Sequence, residues 1–219
     1  MLAVHTAAEP APLPPAAPPS VDPLARRHVL VVGMHYPPQE TAVAGWTAGI
    51  AAALAHRAAT VTVLSGLPHS SQGVDGRYRG LRRLVLPAAN GAGPTVVRIG
   101  HHIPERWTAP SDARYQLSFA RRAVTARLPQ RPDLVIGVTP SPGAAAAAAR
   151  IARRYGAPLV VAVHALADQG AGASTGATAA RLERYALDRA ERVVVTNRAL
   201  APALAALGIP YERISTHMP

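Results

Sequence analysis

Residues 28–66 read HVLVVGMHYPPQETAVAGWTAGIAAALAHRAATVTVLSG, and the changes of pattern inside them decide the fold. His28 to Gly33 is an unbroken run of strand-forming residues. Met34 to Thr41 carries two adjacent prolines, which extend neither a strand nor a helix. From Ala44 the pattern turns helical: Trp46, Ile50 and Leu54 recur four apart on one face, with Arg57 on the polar edge. Thr60 to Leu64 then returns as a second β-branched strand. A strand apolar on both faces, a crossover helix and another such strand make the βαβ unit of a parallel sheet. In such sheets ligands lie beyond the carboxyl ends of the strands. The loop from Gly33 to Gly45 is therefore the first place to look for function.

Working outward, the chain repeats this logic. Gly66 to Gly80 reads as a loop rich in Gly and Ser. Arg82 to Pro87 and Thr95 to Ile99 read as two short strands about the turn from Asn90 to Pro94. Ser111 offers an N-cap to a helix whose inner stripe is Leu117, Ala120, Val124 and Leu128, with Arg114, Arg121 and Arg122 off that stripe. A second unit follows as the strand Asp133 to Val138, the turn Thr139 to Gly143 and a poly-Ala helix to Tyr155, closed by Gly156 and Pro158. Leu159 to Val163 is the next strand and stops at His164. The segment Asp168 to Thr178 reads as a loop, Ala179 to Ala190 as a helix, Arg192 to Thr196 as a strand, Ala199 to Leu207 as a helix and Arg213 to Ser215 as a last strand. The expectation is a single α/β domain over residues 26–215, a Rossmann-like doubly wound parallel sheet. It follows an Ala/Pro-rich leader over residues 1–25 that has too little apolar surface to order itself.

Composition removes several function classes. The chain has no Cys, which excludes disulfides, thiolate catalysis and Cys-based zinc sites. It has no Lys either, so no P-loop exists, and no G-x-G-x-x-G follows a strand. No G-x-S-x-G elbow marks a serine hydrolase. The pair His101-His102 lacks a carboxylate at ligand spacing, so no metal is expected. No apolar run reaches the length of a membrane span and the start lacks a signal-peptide pattern, so the expected location is cytoplasmic. The net charge of +11 is concentrated: residues 77–127 hold ten Arg and two acids. Guanidinium groups suit phosphate and carboxylate. An anionic partner and a merely solvated charged face are both compatible with that segment.

Three loops fall at carboxyl ends of strands: His35 to Gly45, Thr139 to Gly143 and His164 to Gly170. The second reads either as a helix N-terminus offering the Ser141 hydroxyl and the Gly143 amide to an anion, or as ordinary capping. His164 reads either as a catalytic group or as a structural hydrogen-bonding residue at a strand end.

The residues also carry a family resemblance. The stretch HVLVVGMHYPPQETAVAGWTAGIAAALAHRAATVTVLSGLPH resembles the opening of family 4 glycosyltransferases of the GT-B architecture. The likeness continues through DLVIGVTPSPGAAAAAARIARRYGAPLVVAVH and RLERYALDRAERVVVTNRALAPALAALGIPYERI, and spans nearly everything from Arg26 to Ile214. It implies the N-terminal, acceptor-side domain of an enzyme that moves a sugar from a nucleotide-sugar to a cell-envelope or polysaccharide acceptor. The donor-binding domain would be absent, with residues 216–219 a truncated hinge. The chain would then be inactive alone and need a separate donor-binding domain or chain as partner. No cofactor is implied beyond the nucleotide-sugar co-substrate.

By the same resemblance, Tyr36, Thr41, Ala42 and Trp46 would lie near the donor diphosphate. Thr139, Ser141 and Gly143 would line the cleft, and His164 would position the sugar or acceptor. Ala42 stands where the family usually has Gly, and Ala165 where an acidic residue often follows. In such an acceptor half the Arg-rich segment 77–127 would touch a phosphate-bearing acceptor or an anionic membrane surface, the latter placing the protein at the inner face of the membrane. A non-catalytic binding or regulatory protein, or a decayed fragment, on the same fold is the alternative. A nucleic-acid partner is not expected, since no recognition module accompanies the charge.

Overall fold

The computed structural model describes residues 22–57, 60–70, 73–91, 93–166 and 176–216. Most of the expected leader, most of the loop from Asp168 to Thr178 and the last three residues of the expected hinge lie outside these. In chain order the elements are β1 (His28–Val32), α1 (Ala42–His56), β2 (Thr60–Gly66), β3 (His69–Ser70), β4 (Gly73–Val74), β5 (Arg83–Leu86) and β6 (Thr95–Ile99). Then come α2 (Ala109–Val124), β7 (Leu134–Thr139), α3 (Pro142–Tyr155), β8 (Leu159–Val163), α4 (Ala177–Arg189), β9 (Arg192–Val195), α5 (Ala201–Ala206) and β10 (Ile214–Ser215).

Eight strands form one sheet in the order β10-β9-β8-β7-β1-β2-β6-β5. Every pairing is parallel except β5 on β6, which is the antiparallel hairpin made by the two short strands around Asn90. From β1 the chain builds outward through β2 and β6, then returns to β7 on the other side of β1 and builds through β8, β9 and β10. The direction of winding therefore reverses between β1 and β7. In an open α/β sheet the crevice forms at that reversal, beyond the carboxyl ends of the two strands.

The strands alternate between two cores, as a doubly wound sheet requires. Val29, Val31, Val61, Val63, Ile136 and Val138 point to the α1 side, where Ile50, Ala51 and Leu54 meet them. Leu30, Val32, Leu64, Val135, Val161 and Val193 point to the opposite side, against α2, α3, α4 and α5. Each such side chain removed from water contributes about 1.5–3 kcal/mol. The poly-Ala helix has a packing reason. A Cβ added at Gly137 would sit 2.9 Å from the Ala148 Cβ and 3.2 Å from the Ala145 Cα, so α3 lies almost directly on the backbone of β7. Only small side chains on both surfaces permit that distance.

Four local expectations are corrected. The N-cap of α2 is Thr108, and Ser111 is the third helical residue, which completes its capping box. Pro110 in the first turn favours the earlier start. The inner stripe of α2 is Tyr115, Gln116, Phe119 and Ala123, while Leu117 is 48% exposed. The apolar period could be drawn through either set, and the larger aromatic surfaces win the core. Gly66 to Gly80 is not wholly a loop, since β3 and β4 pair as a short hairpin within it. Residues 22–25, assigned to the leader, are packed: Leu24 is buried, and Asp22 accepts from Arg57 Nε at 2.7 Å.

Candidate functional site

Histidines gather at the carboxyl edge of the sheet. A histidine stands one to three residues beyond the end of four of its parallel strands: His35 after β1, His69 after β2, His101 after β6 and His164 after β8. The fold gathers them into two groups.

The first group lies over the β1–β7 crevice. The Trp46 ring, on the first turns of α1, faces the His164 ring with centroids 5.3 Å apart and planes 36° from parallel. His164 Nδ1 is buried and has no hydrogen-bond partner among the described residues. The Thr139 hydroxyl donates to the Ala165 carbonyl at 2.8 Å, which ties the end of β7 to the segment just after His164. Thr41 caps α1, its hydroxyl accepting from the Ala44 amide at 3.1 Å, and this orients the helix that carries Trp46. Ala42 is the exposed first residue of that helix.

The Thr139–Gly143 turn matches neither of the two readings made from sequence, an anion cradle or ordinary capping by Ser141. Ser141 is the N-cap residue of α3 but its side chain makes no capping bond. The Gly143 amide is already satisfied, donating to Gln116 Oε1 at 2.9 Å. A side chain from α2 thus takes the place at the α3 N-terminus that an anion would need. Gly143 is required for a different reason: a Cβ there would lie 2.4 Å from the Gln116 carbonyl oxygen. It is a packing glycine between α2 and α3.

The second group, beneath the β1–α1 loop, was not assembled from sequence. The His69 ring is 5.5 Å from His35, 5.5 Å from His101 and 5.6 Å from Tyr115, centroid to centroid. His69 Nδ1 lies 2.9 Å from the Leu67 carbonyl and Nε2 lies 2.9 Å from the Tyr115 hydroxyl. With Nδ1 donating to the carbonyl, Nε2 is left to accept from the tyrosine. Gln39 Nε2 donates to the His69 carbonyl at 3.0 Å, fastening the loop to the hairpin. Neither nitrogen of His101 has a partner among the described residues, nor does His35 Nδ1. Burial, and secondarily the neighbouring His69, pull His35 down to about 4 and His101 down to about 3. Burial likewise lowers His69 and pushes the Tyr115 phenol up. The cluster is therefore neutral at physiological pH. Among the described residues no group of three His, Asp or Glu is placed to hold a metal ion.

Tyr36 belongs to neither ring group; it lies under the Arg98 guanidinium, 5.8 Å from its carbon. Arg98 is 1% exposed in β6. Its Nη2 donates to the Pro37 carbonyl, and Nη1 donates to the Gly66 carbonyl at 3.2 Å and to the Ser65 hydroxyl at 3.3 Å. Burial draws its pKa downward, yet guanidinium stays charged in proteins, so carbonyl dipoles are what hold it. Arg98 clamps the β1–α1 loop onto the end of β2. In sequence it is one of ten arginines in a basic segment; its place on the strand Thr95–Ile99 was the available signal.

These features coincide with known folds. The chain aligns with the catalytic domain of starch synthase IV from Arabidopsis thaliana, bound to ADP and acarbose, at a TM-score of 0.54 and 12% identity, covering 87% of this chain and 51% of that one. It aligns with UGT89C1 from Arabidopsis thaliana, complexed with UDP-L-rhamnose, at a TM-score of 0.55 and 17% identity, covering 89% of this chain and 52% of that one. The fold is thus that of one Rossmann-like half of a GT-B glycosyltransferase, and the chain spans about half the length of the solved structures it matches. A sequence comparison with curated proteins returns no match. The family model for the glycosyl transferase 4-like domain matches residues 41–217, and the chain belongs to that family.

Proposed function

We propose that this domain forms the acceptor-facing side of a sugar-transfer cleft, acting with a donor-binding domain that holds a nucleotide-sugar. The observation that carries the reading is the Trp46–His164 pair at the β1–β7 crevice. An indole face and an imidazole with an unused nitrogen make a wall suited to a sugar ring and its hydroxyls. In transfer, the acceptor hydroxyl oxygen bonds the anomeric carbon, the bond to the diphosphate oxygen breaks with its electron pair going to that oxygen, and the departing diphosphate takes up the hydroxyl proton. On this reading His164 orients a hydroxyl at that centre. Both similar solved structures hold nucleotides, ADP in one and UDP-L-rhamnose in the other, which supports the donor class. The occupied Gly143 amide supports assigning this side to the acceptor, because the obvious phosphate-binding amide is already bonded. A cell-envelope or polysaccharide precursor is the proposed acceptor, and the cytoplasm the proposed location.

Calorimetry on this chain with UDP- and GDP-sugars tests the assignment. An acceptor side binds them more weakly than about 1 mM. Micromolar binding that His164→Ala leaves unchanged would contradict it. The Gln116 plug also favours a second reading, a non-catalytic binding protein on the same fold. Restoration of transfer by an added donor domain, lost in His164→Ala, decides against that second reading.

A further inference from the structure

Away from the crevice, α2 and the edge strand β5 enclose an open groove of about 1050 Å³. Six arginines line it: Arg82, Arg83, Arg114, Arg121, Arg122 and Arg127. Neither acid of the 77–127 segment, Glu105 or Asp112, is among its walls. Arg83 Nη2 donates to the Arg127 carbonyl at 3.0 Å, joining the two sides. Unlike Arg98, the other five guanidinium groups make no carboxylate or carbonyl bond among the described residues, and all six residues are exposed.

The same face exposes large apolar groups. Leu117 lies in the groove itself, 48% exposed, and Val85, which pairs with Val97 on the α2 side of the sheet, is exposed on the edge strand. Trp107, just before α2, is 49% exposed. This combination separates the candidate occupants. Nucleic acid or a soluble polyanion is held by the cations and leaves Leu117 and Val85 in water. A second copy pairing along β5 would bring Arg82 and Arg83 against their own copies, the arrangement that charged edges prevent. An anionic bilayer surface accepts both features, guanidinium at the headgroups and Leu and Trp in the interfacial layer.

We infer that the α2–β5 face docks this protein on an anionic lipid surface. Ile99, at the carboxyl end of β6, and Pro110, in the first turn of α2, line the groove. The inference rests on this surface alone, so its failure leaves the acceptor-side reading intact, and the reverse also holds.

Vesicle co-sedimentation of the full chain tests it, with phosphatidylcholine alone and with phosphatidylcholine–phosphatidylglycerol mixtures, at low and high salt. Expected is binding to the anionic vesicles only, weakening with salt. Arg121→Glu/Arg122→Glu lowers that affinity by about tenfold or more, and Arg181→Glu/Arg192→Glu, off the groove, leaves it unchanged. Leu117→Asn weakens it severalfold without altering net charge, and serves if the double reversal does not fold. Equal binding to neutral vesicles, no binding, or groove variants that bind as the wild type does would overturn the inference. So would retention by polyphosphate beads that Leu117→Asn does not affect, together with no vesicle binding; that result assigns the groove to a soluble polyanion.

Discussion

The indole of Trp46 faces the imidazole of His164 at 5.3 Å, one residue from the α1 that leaves β1, the other from the carboxyl end of β8. The contact spans the reversal point of the sheet, where neither residue has a local reason to meet the other. Trp46 also packs on the α1-side core. Trp46→Ala is expected to cost about 1–3 kcal/mol of stability, whereas His164→Gln leaves stability within about 1 kcal/mol. Both should abolish saccharide binding at the crevice. Denaturant midpoints and saccharide titrations, run on the same preparations, separate the two effects.

Gly143 and Gln116 form a second coupled pair. Gly143→Ala drives a methyl into the backbone of α2, where the contacting atom cannot swing away. A loss of about 2–4 kcal/mol is expected. Gln116→Ala removes the acceptor of the Gly143 amide and costs about 1–3 kcal/mol. It also opens the α3 N-terminus, so inorganic phosphate should stabilise Gln116→Ala in thermal melts and leave the wild type unmoved.

The buried histidines make stability depend on pH in a defined direction. His35 is held at about 4 and His101 at about 3, both below the unfolded value of 6.5. The unfolded chain therefore binds protons that the folded chain refuses. Their contribution is complete above pH 6.5, shrinks as pH falls through 6 and 5, and is gone once both folded values are passed. The loss is on the order of a few kcal/mol. Asp22, lowered by its hydrogen bond to Arg57, keeps its contribution above the ordinary carboxylate range, so the comparison is made at pH 5 and above. Urea midpoints at pH 7, 6 and 5 should fall in that order, and His35→Gln/His101→Gln should flatten the decline.

Arg98 holds three backbone and hydroxyl oxygens around the β1–α1 loop. Arg98→Lys keeps the charge but not the planar fork, and leaves carbonyls unpaired. About 2–4 kcal/mol of destabilisation is expected. Hydrogen exchange should show the loss first in residues 33–41, before the sheet is affected.

Much of the fold was legible because buried parallel strands announce themselves: His28–Val32, Leu134–Thr139 and Leu159–Val163 are continuous β-branched or apolar runs. Loop identity was legible from Pro and Gly, and the positions of Thr139 and His164 followed from strand ends, whereas Trp46 was a site candidate only through the family resemblance. What could not be read was side-chain traffic between distant elements. Gln116 reaches the α3 N-terminus from another helix, and His35, His69 and His101 meet only because β1, β2 and β6 are neighbours. The α2 stripe misled because the apolar period could be drawn two ways: Leu117 suits a core, but the larger aromatic surfaces of Tyr115 and Phe119 take that place. Arg98 was hidden by its company, a buried charge counted among exposed ones.

The central claim is that the Trp46–His164 crevice faces an acceptor sugar. The chain has two tryptophans, so its indole N–H signals in a nitrogen-15 spectrum number two, and Trp107 serves as the internal control. Titration with a panel of mono- and disaccharides, and separately with UDP-glucose, reads the claim directly. The account predicts that a saccharide moves the Trp46 signal together with the Thr139 and His164 amides, leaves Trp107 in place, and loses its effect in His164→Ala. Saccharides that move none of these signals, while UDP-glucose saturates them at micromolar concentration, would contradict it.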